Sequence, residues 1–258
     1  MKKDDRRLRI GLLGCGPISQ AAHLDAIRKA RNADLYSICD IAEDLTERLA
    51  AIYQPEAVYH DFAAMLDDPQ VEAVVIAVAD QFHVQLCRQA LAAGKPVLIE
   101  KPLGVTVEEC EGLRDLVTRR GLVFQVGNNR RFEPGMTEAR RFIHEEAGNL
   151  LTLDAWYYDS VYRYTMQDDL YPVPVESPNV KRPPGDWKAN RQRYLLITHG
   201  VHLLDTARFL AGPLVAVSQS VAYGEPIPLA EVTGRVLSAA DYTPIPPPPR
   251  DAVHRFCA

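Results

Sequence analysis

The chain has no surplus of basic residues. Its 258 residues hold 29 lysines and arginines against 34 aspartates and glutamates, a formal charge of −5. A mildly acidic chain without a basic run has little to offer a phosphate backbone or an anionic bilayer, so no nucleic-acid partner is expected. Long hydrophobic runs are also missing. The longest, such as 71–79, fall far short of the ~20 residues of a membrane helix, so no membrane partner is expected either. No signal-peptide pattern precedes Gly14, because Lys2, Lys3, Asp4, Asp5, Arg6 and Arg7 break up the start. The five cysteines (Cys15, Cys39, Cys87, Cys110 and Cys257) are odd in number and form no Cys-x-x-Cys pair. That spacing argues against a disulfide framework or a metal site and points to reduced thiols in a cytoplasmic protein.

What is present is an ordinary globular balance, 47% hydrophobic and 24% charged, with length for one large domain or two modest ones. Apolar runs at 8–13, 35–39, 71–79, 97–99 and 122–126 alternate with amphipathic stretches at 18–28, 45–52, 83–93 and 107–119. Nearly continuous apolar strands, each followed by a helix, predict a parallel sheet covered on both faces. Right-handed crossovers then favour the doubly wound α/β arrangement of the Rossmann type.

After Gly127 the pattern changes. A helix is predicted over 138–145, and 150–158 is rich in strand formers. An irregular stretch from about 160 to 193 carries Pro172, Pro174, Pro178, Pro183 and Pro184, the composition of a functional loop. A helix is predicted over 197–210, stopped by Gly212-Pro213. The last 46 residues hold 8 of the 19 prolines, which predicts one or two strands and then a disordered tail. The expected division is therefore 1–127, 128–212 as a second, incomplete α+β domain, and an atypical tail over 213–258.

Gly14-Cys15-Gly16-Pro17-Ile18-Ser19 lies where a predicted strand turns into a predicted helix. Gly14 permits the tight turn, Gly16 lets backbone amides approach a pyrophosphate, and Ser19 is small enough to keep helix and strand close. Asp40 ends the second strand 26 positions after Gly14. An acid there can bond both ribose hydroxyls and repel a 2′-phosphate, and Ile41 and Ala42 offer no cation for one. NAD is expected in preference to NADP.

Glu100-Lys101-Pro102 follows the 97–99 run, at the sheet edge where ligands bind. The run Ala92-Ala93-Gly94-Lys95-Pro96-Val97-Leu98-Ile99-Glu100-Lys101-Pro102-Leu103 resembles the Glu-Lys-Pro signature of the Gfo/Idh/MocA oxidoreductase family (glucose–fructose oxidoreductase, inositol dehydrogenase, rhizopine catabolism). Asn128-Asn129-Arg130-Arg131-Phe132 and Gly200-Val201-His202-Leu203-Leu204-Asp205 are similar to two further motifs of that family, and the similarity runs over about 9–212. The resemblance implies an NAD(P)-dependent dehydrogenase of a sugar, cyclitol or related polyol, with Lys101 and His202 catalytic. It implies Gly14, Gly16, Pro17, Ile18, Asp40, Ala79, His83, Glu100, Lys101, Asn128 and Arg130 at the cofactor. It places Lys101, Trp187, Lys188, Thr198, His199, His202 and Asp205 at the substrate, and a homo-oligomer through the second domain. The residue types suit the chemistry: an imidazole takes the alcohol proton and an ammonium stabilises the developing alkoxide.

Other readings stay open for several residues. His83 is equally a structural histidine. Asp205 orients the imidazole, touches substrate or caps the packing. Trp156, Tyr157 and Tyr158 stack on a sugar or belong to a core or interface, and Arg191 joins Trp187 and Lys188 in the polar loop. The Lys101-Pro102 bond can be cis or trans. The chain also departs from the family. Thr198 stands where many relatives carry Asp, Tyr194-Leu195-Leu196 replaces a glycine-rich turn, and the ending reads as a shortened substrate sheet. Two alternatives therefore accompany the dehydrogenase: a cofactor-binding but catalytically impaired homologue, and an NAD-dependent glycoside hydrolase or eliminase.

Overall fold

A computed structural model describes residues 6–156, 174–179, 196–212, 220–222 and 225–227. Six parallel strands form one sheet in the order β3-β2-β1-β4-β5-β6. They are β1 (Leu8–Leu13), β2 (Ala33–Cys39), β3 (Ala57–Tyr59), β4 (Ala73–Ile76), β5 (Val97–Ile99) and β6 (Phe124–Val126). The helices between them are α1 (Leu24–Lys29), α2 (Glu43–Tyr53), α3 (Phe62–Asp67), α4 (His83–Ala92) and α5 (Val107–Arg120). Strand order reverses between β1 and β4, and a crevice at the carboxyl ends of the strands opens at that reversal.

The strands show why a parallel sheet forms. Ile10 and Leu12 of β1, with Ala73 and Val75 of β4, enter one apolar cluster with Leu24, Ile27, Leu45 and Leu49. Leu13, Val74 and Ile76 point the other way, into a cluster with Met65, Cys87, Leu91 and Leu113. Period-two alternation with both sets apolar means that both faces are buried, and only helices can cover them. Local signals fix the helix ends: Thr106 and Glu109 form a capping box at the start of α5, and the Asp61 side chain caps α3 through the Ala63 amide. The short β3 and α3 were not foreseen in the sequence, because three and six residues leave too little periodicity to detect.

Beyond β6 lie α6 (Pro134–Glu145) and α7 (Val201–Ala211), which pack against each other. Arg140 Nε donates to the Phe209 carbonyl at 3.1 Å and its guanidinium lies 5.0 Å from the Phe209 ring. Two rare π turns precede helices at the crevice: Ser19–His23 before α1 and Leu196–Gly200 before α7. The strand expected over 150–158 does not form across 150–156. Leu151 is 94% and Trp156 71% exposed, and among the described residues no strand pairs with this segment. Tyr157 and Tyr158 lie outside the described residues, as do the polar loop with Trp187, Lys188 and Arg191, and Cys257. Two tail segments, β7 (Ser220–Ala222) and β8 (Glu225–Ile227), pair antiparallel. Among the described residues no helix is long and apolar enough to cross a membrane.

Candidate active site

The glycine turn is built by steric necessity at one position and by open space at another. Gly14 has φ of +93°, and a Cβ there would lie 2.3 Å from the Ala77 carbonyl oxygen of the neighbouring strand end. Gly14 N–H donates to Cys39 O at 2.8 Å, and the buried Ser19 hydroxyl donates back to Gly14 O at 2.6 Å. Gly16 differs: a Cβ there would meet nothing within 4 Å. Its lack of a side chain keeps that space clear, which fits the close approach of a diphosphate to the backbone. Pro17 and Ile18 are exposed beside it.

Asp40 reaches the same turn. Its carboxylate accepts from the Cys15 amide at 2.8 Å and the Ala42 amide at 3.0 Å, which holds the acid against the glycine turn. Each carboxylate oxygen keeps a further lone pair for a ribose hydroxyl. Ala79, half-buried past the end of β4, borders the crevice. Asn128 donates through Nδ2 to Asp205 at 3.1 Å, while its buried Oδ1 accepts no hydrogen bond among the described residues. A buried amide oxygen without a donor is a place for a ligand N–H. These residues fit a bound dinucleotide.

Lys101 and His202 come from segments far apart in sequence and meet at the carboxyl edge of the sheet. Lys101 follows β5, its bond to Pro102 is cis, and its Nζ donates to the Thr198 carbonyl at 3.3 Å. Thr198 is buried, and its hydroxyl lies 3.4 Å from His199 Nδ1. His202 stands at the start of α7, directly after that π turn. Its pKa falls from 6.5 to about 4, because burial disfavours the charged ring and the positive charges of Lys101, Arg130 and His199 add to the effect; Glu100 opposes it. The ring is therefore neutral at neutral pH and lies within the electrostatic reach of the Lys101 ammonium. Arg130 also pairs with Glu133 at 3.0 Å.

Three residues that the resemblance places at the cofactor or the substrate also bind the protein to itself. His83, expected at the cofactor, has no exposed surface: Nδ1 lies 2.6 Å from Pro102 O and Nε2 3.1 Å from Val78 O. Whichever ring nitrogen carries the proton donates to one of these carbonyls and holds the start of α4 to a neighbouring loop. Glu100, also expected at the cofactor, accepts from His23 Nε2 through Oε1 at 2.8 Å and from the Lys101 amide through Oε2 at 3.1 Å, and like Asp40 it keeps a further lone pair on each oxygen. Burial pushes the Glu100 carboxyl up, but the His23 hydrogen bond and charge, with those of Lys101, outweigh it and leave the group below the usual range. Asp205, expected at the substrate, is buried and accepts from Arg131 Nε at 2.8 Å, Arg131 Nη2 at 2.5 Å and Asn128. It ties α7 to the segment after β6.

Sequence reasoning missed His23 and Arg131. Arg131 lay inside a quoted motif with nothing to mark its partner, and His23 had only its place four residues after Ser19. It also missed how residues 174–179 return to the glycine turn. Gln20 Nε2 donates to Cys15 O and Val175 O, both at 2.9 Å, and its Oε1 accepts from Val175 N at 2.6 Å. Ser177 donates to Asp44 at 2.7 Å and Arg48 to Glu176 O at 2.6 Å. Separately, an open apolar hollow of about 480 Å³ lies between the loop after Lys101, the start of α5 and Ile197. Its Cys110 thiol is pushed up to about 11 by burial and the nearby Glu109 and Glu111, which disfavours the thiolate.

Residues 8–128 match the family described as "Oxidoreductase family, NAD-binding Rossmann fold". The chain is 30% identical over 208 residues to inositol 2-dehydrogenase 2 of Saccharopolyspora erythraea, across 80% of this chain and 54% of that protein. It is 26% identical over 234 residues to D-apiose dehydrogenase of Paraburkholderia graminis, across 91% of this chain and 54% of that protein. Among solved structures, scyllo-inositol dehydrogenase from Lactobacillus casei with bound NAD(H) and scyllo-inositol superposes with a TM-score of 0.53 at 28% identity. That match covers 55% of this chain and 42% of the other. The chain spans about half the length of the curated relatives it matches.

Proposed function

Because this chain belongs to the Gfo/Idh/MocA oxidoreductase family and carries its NAD-binding Rossmann fold over residues 8–128, we propose that it interconverts a secondary alcohol and a ketone on a polyol, cyclitol or sugar. The bound dinucleotide supplies the hydride acceptor. Gly14 and Gly16 with the start of the π turn hold its diphosphate, Asp40 its ribose, and the Asn128 amide oxygen accepts from a ligand N–H. His202 takes the hydroxyl proton, which a neutral imidazole at neutral pH can do and an imidazolium cannot. The Lys101 ammonium stabilises the charge that develops on the oxygen, in a partly buried site where such charge is poorly hydrated. Thr198 and His199 line the same turn and contact the remaining hydroxyls.

The observation that carries this reading is the convergence of the Lys101 ammonium and the depressed His202 imidazole on the π turn before α7. The names of the relatives, two inositol dehydrogenases and an apiose dehydrogenase, support a polyhydroxylated substrate. The test is an NADH fluorescence titration followed by a panel of inositols and sugars, read as NADH production. Turnover that disappears in both Lys101→Met and His202→Ala, with NADH still bound, supports the assignment. Activity retained in either variant removes that residue from the role, and NADH binding without turnover of any alcohol by the wild type favours the impaired homologue.

A further inference from the structure

A continuous line of polar contacts runs from the glycine turn to the lysine. Ser19 anchors the π turn to Gly14 O, and His23 closes that turn at its far end. His23 then crosses the carboxyl edge of the sheet to Glu100 Oε1, whose other oxygen accepts the Lys101 N–H. Lys101 itself reaches on to Thr198. Lys101 is thus held at its backbone by one segment and at its ammonium by another.

We propose that His23 and Glu100 form a positioning pair that sets Lys101 relative to the dinucleotide turn, so that the seating of the diphosphate and the placement of the ammonium belong to one rigid unit. The pair is sheltered, with side chains 12% and 17% exposed. A sheltered carboxylate held by an imidazole is an expensive way to fill space, since well-packed apolar residues are often as stable or more so. Geometry gives this one its use. The carboxylate divides its two oxygens between two segments, and only an ionised, fixed carboxylate can accept from both. A Cβ at Gly127 would stand 3.3 Å from Ile99 O and 3.5 Å from Glu100 Oε1, so β6 backs the carboxylate closely on its other side. The π turn matters as well: it differs by one residue per turn from an α-helical start, and His23 takes its direction from it. A shift of about 1 Å in a catalytic group is enough to lower turnover ~100-fold.

The inference rests on the reading of Lys101 as the charge-stabilising group, so the experiment separates the two. The full chain is labelled at lysine 13Cε, and the Lys101 resonance is assigned by its loss in Lys101→Arg. His23→Gln places an amide nitrogen where Nε2 stands, whereas His23→Asn reaches only as far as Nδ1. In His23→Ala and His23→Asn the Lys101 resonance should move to the position of solvent-exposed lysines, and in His23→Gln it should stay near the wild type. Turnover should fall roughly 10–100-fold in Ala and Asn and recover in Gln, with the alcohol KM and the NADH Kd within about threefold. A Lys101 resonance indifferent to His23→Ala, or an Asn variant that behaves like Gln, overturns the positioning pair. A wild type without turnover overturns the dehydrogenase reading, and the resonance still decides the pair.

Discussion

Lys101→Met should raise the pKa of His202, and the structure sets the limits of the rise. With its value at about 4, the ring is ~90% neutral at pH 5, against ~3% for an imidazole at the ordinary 6.5. Burial is the largest cause and survives the substitution; the Lys101 charge comes second and is removed, while Arg130, His199 and Glu100 remain. The midpoint in Lys101→Met should therefore lie above about 4 and below 6.5. The assay is a 1H–13C NMR titration of the His202 Cε1–H in the protein without nucleotide, assigned by its loss in His202→Gln. In turnover, the acid limb of kcat/KM should track the same midpoint in the wild type. Linkage fixes the sign for stability: the unfolded chain binds this proton more readily. The ring's contribution to folding is thus intact above 6.5 and is lost as the pH falls toward about 4. A wild-type midpoint at or above 6.5, or one that ignores the loss of Lys101, would refute the shared cleft.

Gly14 and Gly16 should fail differently. Gly14→Ala forces a left-handed backbone and a contact with Ala77 O, at a cost of at least about 2 kcal/mol, seen as a Tm lower by ~4–8 °C. Gly16→Ala meets no protein atom, so Tm should hold within about 2 °C while the NADH Kd weakens tenfold or more; unchanged NADH binding would remove Gly16 from the diphosphate site. Asp205→Ala strands Arg131 and Asn128, and because the Arg131 side chain is 39% exposed the cost should be ~2 kcal/mol rather than the 3–5 of a fully buried pair, about 4–8 °C in Tm. NADH affinity should weaken modestly, because Asp205 orients the Asn128 amide, and a higher alcohol KM with an unaltered Tm would return Asp205 to the substrate.

Much of the fold was legible because its signals are local. Residues 8–13 and 97–99 read as strands and form β1 and β5 with the same ends. The predicted helix over 107–119 extends one residue further, to Arg120. Residues 150–156 do not form the expected strand because strand formers need a partner, and among the described residues none pairs with them. For the site, residue types gave a set of candidates and not their partners. Asp205 and His83 carry the same groups whatever they face, and their contacts with Arg131, Pro102 and Val78 have no mark in the order of residues.

The amino-acid sequence by itself determined the parallel sheet, the glycine turn beside Asp40, and the family whose motifs hold Lys101 and His202. Period-two apolar patterning, turn chemistry and motif order are short-range properties, written in neighbouring residues. Tertiary structure alone decided that Lys101-Pro102 is cis, that Glu100 accepts from His23, that Asp205 accepts from Arg131, and that burial and the Lys101 charge push the His202 imidazole down. Each of these depends on groups brought together across the carboxyl edge of the sheet, where distance, burial and charge are set by packing and have no counterpart in the order of residues along the chain.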